Sequence, residues 1–358
     1  MLLARIITDV EPGGAQLHVL RLTRALREHG IESRVLAAHA SPEGVALFAR
    51  GGVELEVLGT AQRRQYVPDA AFAAWLAPRI EDVDVVHAHM FGGWWAAGRV
   101  VPEELRFVAS EHNPVRWPGK PRLAELRRGL ARVDLFFAHG SQAAATVLAA
   151  GLPADRLRPG ISPVAGLDAR PRPGLPVPRI VFAGRLHPEK GPDVLLDAVA
   201  RMADPPPVLV LGTGPAEADL RAQATRLGLE HVVRFVGWQD NAAVWVAGAS
   251  VFAQPSRDEA WSQSAVVAMG LGVPVVGTDV DDLPLTLGEG RGIVVPNEDP
   301  AALAAALEDV LAGRRMPDLR GARAYARRFE VEAVAAHYAR AYAELAAQAE
   351  PGREPAPA

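Results

Sequence analysis

The chain contains no cysteine, and that one absence removes disulfide frameworks, thiolate zinc sites and a thiol nucleophile. It lacks a dominant charge. Lys and Arg number 38 against 42 Asp and Glu, a formal net charge of −4, which argues against a general nucleic-acid binder. No run reaches the ~18 apolar residues of a membrane span. Met1 leads into Leu2, Leu3 and Ala4, a stretch too short for a secretory signal and broken by Arg5. The expected location is therefore the cytoplasm. Lysine is also scarce: only Lys120 and Lys190 occur among the 38 basic residues, so a lysine here marks a place where a compact ammonium is wanted. What is present is globular in composition, 49% hydrophobic and 22% charged, and 358 residues predict about two domains.

Short apolar runs alternate with helical patterns, which predicts an α/β fold of parallel sheets covered by helices on both faces. In the first half the runs are Arg5–Thr8, Ser33–Ala37, Val53–Leu58, Asp84–His87, Phe107–Ser110 and Leu135–Ala138, with a helix over Ala15–His29 stopped by Gly30. Six prolines between Pro159 and Pro178 interrupt the pattern. The alternation then restarts with strands at Arg179–Ala183, Val208–Leu211, Val232–Val236, Val251–Gln254, Pro274–Gly277 and Gly292–Val295. The reading is two doubly wound Rossmann-like domains, 1–165 and 179–330, joined by a Pro-rich linker over 166–178. A last helix, 331–347, is free to pack back on the first domain, and 349–358 reads as a disordered tail. Ligands of such folds sit outside the carboxyl ends of the strands, and with two domains the cleft between them is the expected site.

Several segments fall at those strand ends. Gly13-Gly14-Ala15 follows the first strand and opens a helix, where backbone N–H groups suit an anion; the alternative is an ordinary turn. Gly184-Arg185-Leu186-His187-Pro188-Glu189-Lys190-Gly191 follows the first strand of the second half. Its two cations, Arg185 and Lys190, suit a diphosphate. Glu259 lies in a polar loop after Val251–Gln254, where a carboxylate accepts sugar hydroxyls. The amides of Ser262, Gln263 and Ser264 follow it at a helix start. The competing reading makes Glu259 a helix-dipole partner and Ser262 a cap.

His87-Ala88-His89 puts two imidazoles on one face, but no third metal ligand is evident, so a sugar-contacting or core histidine is expected and no metal. His112 and Asn113 follow another strand end. Trp94-Trp95 offers an apolar or sugar-stacking platform, or core. Gly212-Thr213-Gly214 lacks the third glycine of a dinucleotide motif and reads as a turn. The stretch 116–132 carries Arg116, Lys120, Arg122, Arg127, Arg128 and Arg132 among leucines, a pattern for anionic lipid or a solvated face.

Taken together, these segments resemble the family 4 glycosyltransferases of the GT-B fold, over nearly the whole chain. The matching motifs are Gly13-Gly14, Val85-Val86-His87-Ala88-His89, Gly184 to Gly191, Pro255-Ser256 to Glu259, Ala268-Met269 and Gly272 to Val276. The resemblance implies retaining sugar transfer from a nucleotide-sugar donor (UDP-, GDP- or dTDP-linked) to a hydroxyl acceptor, a small molecule or glycan precursor. It implies that Arg185 and Lys190 bind the diphosphate, that Glu259 contacts donor-sugar hydroxyls, and that His89 contacts the sugar from the other domain. Gly13, Gly14, Gly184, Trp261, Ser262, Gln263 and Ser264 complete the expected donor site. Trp94, Trp95, His112 and Asn113 are the expected acceptor side. No cofactor, metal or nucleic acid is expected.

The chain departs from the family pattern in three places. The second motif glutamate, which binds ribose, is Val267. Asp281-Asp282 replaces a Gly-Gly, and Pro159-Gly160-Ile161-Ser162 replaces the usual Asn-Gly-hydrophobic-Asp. Two alternatives follow: a lipid-linked-glycan transferase held peripherally at the inner membrane face through 116–132, or a silent sugar-nucleotide binder.

Overall fold

The computed structural model describes residues 1–60, 68–113 and 123–347. The tail 349–358 and Arg116, Trp117, Lys120 and Arg122 of the basic stretch lie outside the described residues. The chain divides into two compact units. Unit one holds Met1–His139, Ala143–Pro163 and the helix Val331–Ala347; unit two holds Gly140–Gln142 and Val164–Glu330.

Unit one is built on a parallel sheet of β1 (Leu2–Val10), β2 (Glu32–Ala40), β3 (Leu55–Val57), β4 (Val85–His89), β5 (Arg106–Glu111), β6 (Leu135–Ala138) and β7 (Leu157–Pro159). Their order is β3-β2-β1-β4-β5-β6-β7. β7 escapes the sequence reading because it is three residues long and ends in Pro159. An edge strand tolerates that proline, since the missing N–H faces away from the ladder. Strand β1 is buried along nearly its whole length, as a parallel strand covered on both faces must be. Ala4 and Ile6 join a core with Phe107, Phe136 and Trp94, while Ile7 and Val10 join a second with Val19 and Phe48. Each such large apolar side chain contributes ~1.5–3 kcal/mol on burial. The expected helix Ala15–His29 is an α-helix over Gly14–Ala25 that tightens to a 3-10 turn at Leu26–His29 before Gly30 at φ +68°.

Unit two repeats the plan with β8 (Ile180–Ala183), β9 (Val208–Leu211), β10 (Val233–Gly237), β11 (Val251–Gln254), β12 (Val275–Thr278) and β13 (Ile293–Val295). Their order is β10-β9-β8-β11-β12-β13. In both units the first strand therefore has one neighbour that follows it and another that restarts the winding on its other side. That reversal opens a crevice at the carboxyl ends of β1 and β4, and of β8 and β11. Both halves are doubly wound Rossmann-like α/β units, the architecture the alternation predicts. Among the described residues no helix is long and apolar enough to cross a membrane.

Candidate functional site

In unit two the segment after β8 and the segment after β11 meet at the switch point. Gly191 closes a 3-10 turn, Pro188–Lys190, and takes φ +64°. A Cβ at Gly191 would stand 1.8 Å from the carbonyl oxygen of Pro255, so only glycine lets the two segments touch. The amides of Arg257 and Asp258 donate to the carbonyl of Glu189 at 2.7 and 3.2 Å and fasten them further. The Arg257 guanidinium binds the Asp193 carboxylate at 2.6 Å and also pairs with Glu298, which raises its pKa above the ordinary arginine value. The sequence reading passed over this clamp.

Held this way, the Lys190 ammonium donates to Glu259 Oε2 at 3.0 Å and to the Asp258 carbonyl at 3.3 Å. Gln254 Nε2 and Ser256 Oγ donate to the same carboxylate oxygen at 3.1 and 3.2 Å. Glu259 is thus buried among donors, three residues before the cap Ser262 of the helix Gln263–Gly270. Ser262 does cap that helix, accepting from the Ala265 amide at 3.2 Å. The hydroxyls of Ser262 and Ser264 donate to Gln254 Oε1 at 2.9 and 3.2 Å, so both point into the same network. Trp261 lies against Phe329, ring centroids 4.8 Å apart. Arg185 is more open: its side chain is 39% exposed and its nearest acid, Glu189, is 4.0 Å away. A cation so placed keeps its charge for a ligand.

Gly212-Thr213-Gly214 has a part that the sequence did not reveal. A Cβ at Gly212 would lie 1.9 Å from the Gly184 carbonyl and one at Gly214 2.2 Å from that of Leu186. The Leu186 amide donates to Thr213 at 2.9 Å. The glycines therefore brace the Arg185 segment from the neighbouring strand end. Where the family pattern has Gly-Gly, Asp281 adopts φ +45° and its Oδ2 accepts from the Glu259 amide at 2.9 Å. Aspartate is among the few residues that enter the left-handed region, and here that bond rewards it. Val267 is half-buried on the helix Gln263–Gly270 and offers no acceptor.

In unit one the sequence-predicted residues part company. Gly13 is extended at φ −176°, which any residue adopts. The nearest atom to a Cβ there would be Gln16 Oε1 at 2.8 Å, the end of a flexible side chain that can move aside. Trp94 and Trp95 are not a platform. Both are buried in the core, with Nε1 donating to Glu111 at 3.4 Å and to Glu125 at 2.9 Å respectively. The physical reason is their helix, Phe91–Ala97, which packs on the sheet with every residue buried. Of the basic stretch, Leu126 and Leu130 enter the same core, and Glu125 pairs with Arg128 at 2.8 Å.

The expectation that the His87/His89 pair lacks further imidazoles is overturned. His18 comes from the helix Gly14–Ala25, His112 from the end of β5 and His139 from the end of β6. His18 lies 5.5, 4.7 and 5.1 Å from His89, His112 and His139, centroid to centroid, and His112 lies 4.0 Å from His139. His87 is tied off by Tyr342 at 2.6 Å and Ser110 at 2.7 Å. His89 Nδ1 meets His112 Nε2 at 3.0 Å. Burial holds the imidazoles of His18, His87, His89 and His139 neutral, their pKa well below the ordinary value, and moves His112 to about 3. Burial also raises the Glu111 carboxyl to about 7, although the amides of His112 and Asn113 donate to it at 3.0 and 3.3 Å.

The family model described as "Glycosyltransferase Family 4" matches residues 12–159, and "Glycosyl transferases group 1" matches residues 177–313. A D-inositol 3-phosphate glycosyltransferase of Streptomyces avermitilis is 33% identical over 279 residues. That match covers 66% of this chain and spans 59% of the relative's length. A phosphatidyl-myo-inositol mannosyltransferase of Mycobacterium leprae is 33% identical over 372 residues, with 94% of each chain covered. Among solved structures, Anabaena HepE in complex with UDP-glucose superposes with a TM-score of 0.81 at 20% identity, covering 96% of this chain and all of the other. That likeness is one of fold.

Proposed function

This chain belongs to glycosyltransferase family 4, and from that premise we propose that it moves a sugar from a nucleotide-sugar donor to a hydroxyl acceptor with retention of anomeric configuration. The observation that carries the reading is the Lys190–Glu259 pair across the switch point of unit two, 3.0 Å between charges, with the open Arg185 on the same segment. A diphosphate bridging Arg185 and Lys190 would gain charge as the bond from the sugar's anomeric carbon to the phosphate oxygen breaks. Two fixed cations stabilise that charge most in the transition state, which accelerates the step rather than merely tightening binding. The acceptor oxygen bonds to the anomeric carbon on the face the diphosphate leaves. Its proton passes to the departing phosphate oxygen, so the balance needs no separate base and no metal in unit two. Glu259 then reads the sugar hydroxyls, with Gln254 and Ser256 fixing its carboxylate. This reading does not depend on His89.

The named relatives act on inositol phosphate and phosphatidylinositol, which supports a cyclic polyol as the first acceptor class to try. The test is release of nucleoside diphosphate from UDP-, GDP- and dTDP-sugars, with and without inositol phosphates, phosphatidylinositol vesicles and simple glycosides. Acceptor-dependent release with an unchanged anomeric configuration is expected. Val267 favours one rival, a silent binder. Donor-induced thermal stabilisation with neither transfer nor hydrolysis across the panel would establish that rival and end this reading.

A further inference from the structure

The transfer chemistry uses Lys190 and Glu259 but leaves the charged group between their two segments without a part. Arg257 follows β11 and stands two residues before Glu259. Its guanidinium reaches across the switch point to the segment that leaves β8. Nη1 donates to the Pro188 carbonyl and to Asp193 Oδ1, both at 2.7 Å. Nη2 donates to Asp193 Oδ2 at 2.6 Å and to Glu298 Oε2 at 3.1 Å, and Nε donates to Glu298 Oε1. A guanidinium has five N–H groups, and here all five are engaged.

With no donor left over for a ligand, Arg257 acts only through its neighbours, and those neighbours bracket the reacting groups. Pro188 lies two residues before Lys190 and Asp193 three after it. The backbone closes the same joint: the amides of Arg257 and Asp258 donate to the Glu189 carbonyl, and Lys190 Nζ donates to the Asp258 carbonyl at 3.3 Å. Glu298 brings in the end of β13. It takes φ +56°, and its amide donates to Asn297 Oδ1 at 2.9 Å. The Asn297 amide in turn donates to Asp279 Oδ1, after β12, at 2.7 Å. Segments from four adjacent strand ends, β8, β11, β12 and β13, are thus joined through one planar cation. Resting on the assignment of Lys190 to the diphosphate and Glu259 to the sugar, we propose that Arg257 is a positioning residue of the transfer reaction. It holds the cation and the carboxylate at the spacing that a diphosphate and its attached sugar require.

The geometry explains why the residue is an arginine. One edge of the guanidinium faces Asp193 and another faces Glu298, and a rigid planar fork serves both at fixed angles. A lysine ammonium is a point charge on a flexible stem and cannot. Both acids stay ionised in the joint: although burial opposes it, the hydrogen bonds and charge of Arg257 bring the Asp193 carboxyl below its ordinary value. Asp193 and Glu298 are 38% and 54% exposed, so water screens these pairs and they contribute modestly to stability. Rate is more sensitive than stability here. The charges being spaced are 3.0 Å apart, and a misplacement of ~1 Å at a reacting group costs ~100-fold in rate.

The experiment compares the full chain with Arg257→Lys and with a matched control, Arg34→Lys. Arg34 makes the same kind of fork, to both oxygens of Asp82 and to the Arg79 carbonyl, all at 2.9 Å. It does so near the amino end of β2, opposite the ligand-binding ends of the strands. Calorimetry measures UDP against UDP-glucose, GDP against GDP-mannose and dTDP against dTDP-glucose, and kcat is read from nucleoside diphosphate release. In Arg257→Lys the nucleoside diphosphate should bind within about threefold of wild type, the nucleotide sugar about tenfold more weakly, and kcat should fall ~10–100-fold. Arg34→Lys should melt within a few degrees of it and keep both affinities and the rate. Glu298→Gln keeps an acceptor but weakens one fork, so it should lower the sugar-to-diphosphate affinity ratio about threefold; it decides the role should Arg257→Lys not fold. A ratio unchanged in the folded variants overturns the positioning role, and so does an equal loss of both affinities, which would make the joint a fold element. A wild type that binds a nucleotide sugar but transfers nothing ends the transfer reading alone, because the affinity ratio still reports on Arg257. One that binds none of the three nucleotide sugars ends both.

Discussion

Replacing Lys190 with alanine separates a catalytic cation from a structural one. The ammonium stands 3.0 Å from Glu259, with side chains 21% and 8% exposed, so the pair is mostly but not wholly out of water. Breaking a fully buried pair costs ~3–5 kcal/mol. Here Gln254 and Ser256 still donate to the stranded carboxylate at 3.1 and 3.2 Å. The cost should therefore lie nearer the ~1–3 kcal/mol of a buried group that loses one charged partner. For a unit of this size each kcal/mol moves the melting midpoint by ~2–4 °C, so a fall of roughly 2–12 °C is expected. The rate should suffer more. Removing one preorganised group aimed at developing charge lowers kcat by ~10²–10³, and kcat and kcat/KM should drop together because the interaction strengthens only in the transition state. Nucleoside diphosphate release and a thermal melt on the same sample read both effects. Arg185→Ala is the companion: its 4.0 Å contact with Glu189 is exposed and worth little to stability, so kcat should fall with the midpoint nearly unmoved. A Lys190→Ala enzyme that melts earlier yet keeps kcat within about twofold would make the pair a fold element and refute the diphosphate role.

Three further outcomes follow from the geometry. Glu111 ionises at about 7 in the folded chain against 4.5 when unfolded, so stability from this group is present at low pH and is lost as pH rises from 4.5 to 7, by about 3 kcal/mol. Urea melts of Glu111→Gln over that window should show a shallower decline; an identical profile would deny the buried acid. Gly191→Ala and Gly313→Ala share the left-handed penalty of ~1–2 kcal/mol, with φ of +64° and +68°, but only at Gly191 does a Cβ strike a backbone oxygen. Gly191→Ala should lose more stability, and donor binding with it, while Gly313→Ala keeps binding; equal effects on the melt would contradict the close approach. Val267→Glu restores an acceptor on the helix Gln263–Gly270 and should tighten nucleotide binding roughly 10–100-fold, since a hydrogen bond to a charged group is worth ~1.5–3 kcal/mol. Calorimetry with UDP and GDP checks it, and unchanged affinity would show that ribose is held elsewhere.

The sequence alone determined the fold class, because parallel strands buried on both faces write themselves as short apolar runs between helical patterns. It also placed Arg185, Lys190 and Glu259 on the loop segments that leave two strand ends, since those segments open where the apolar runs stop. The β7 edge was beyond it: a three-residue strand ending in proline carries no periodic signal. Tertiary structure decided the partners. Lys190 and Glu259 are 69 residues apart in the chain, and only the switch point of the sheet brings them together. The bracing by Gly212 and Gly214 and the Arg257 clamp depend on close approaches between segments that no local pattern encodes. Trp94 and Trp95 look alike as platform or core in sequence, and the packing of their helix chose core. For the histidines the signal was partly there. His89, His112 and His139 each stand two residues beyond another position on the same strand face, namely His87, Ser110 and Phe137. What the sequence could not supply is strand order: the sheet sets β4, β5 and β6 side by side, and His18 reaches their ends from a helix about seventy residues upstream.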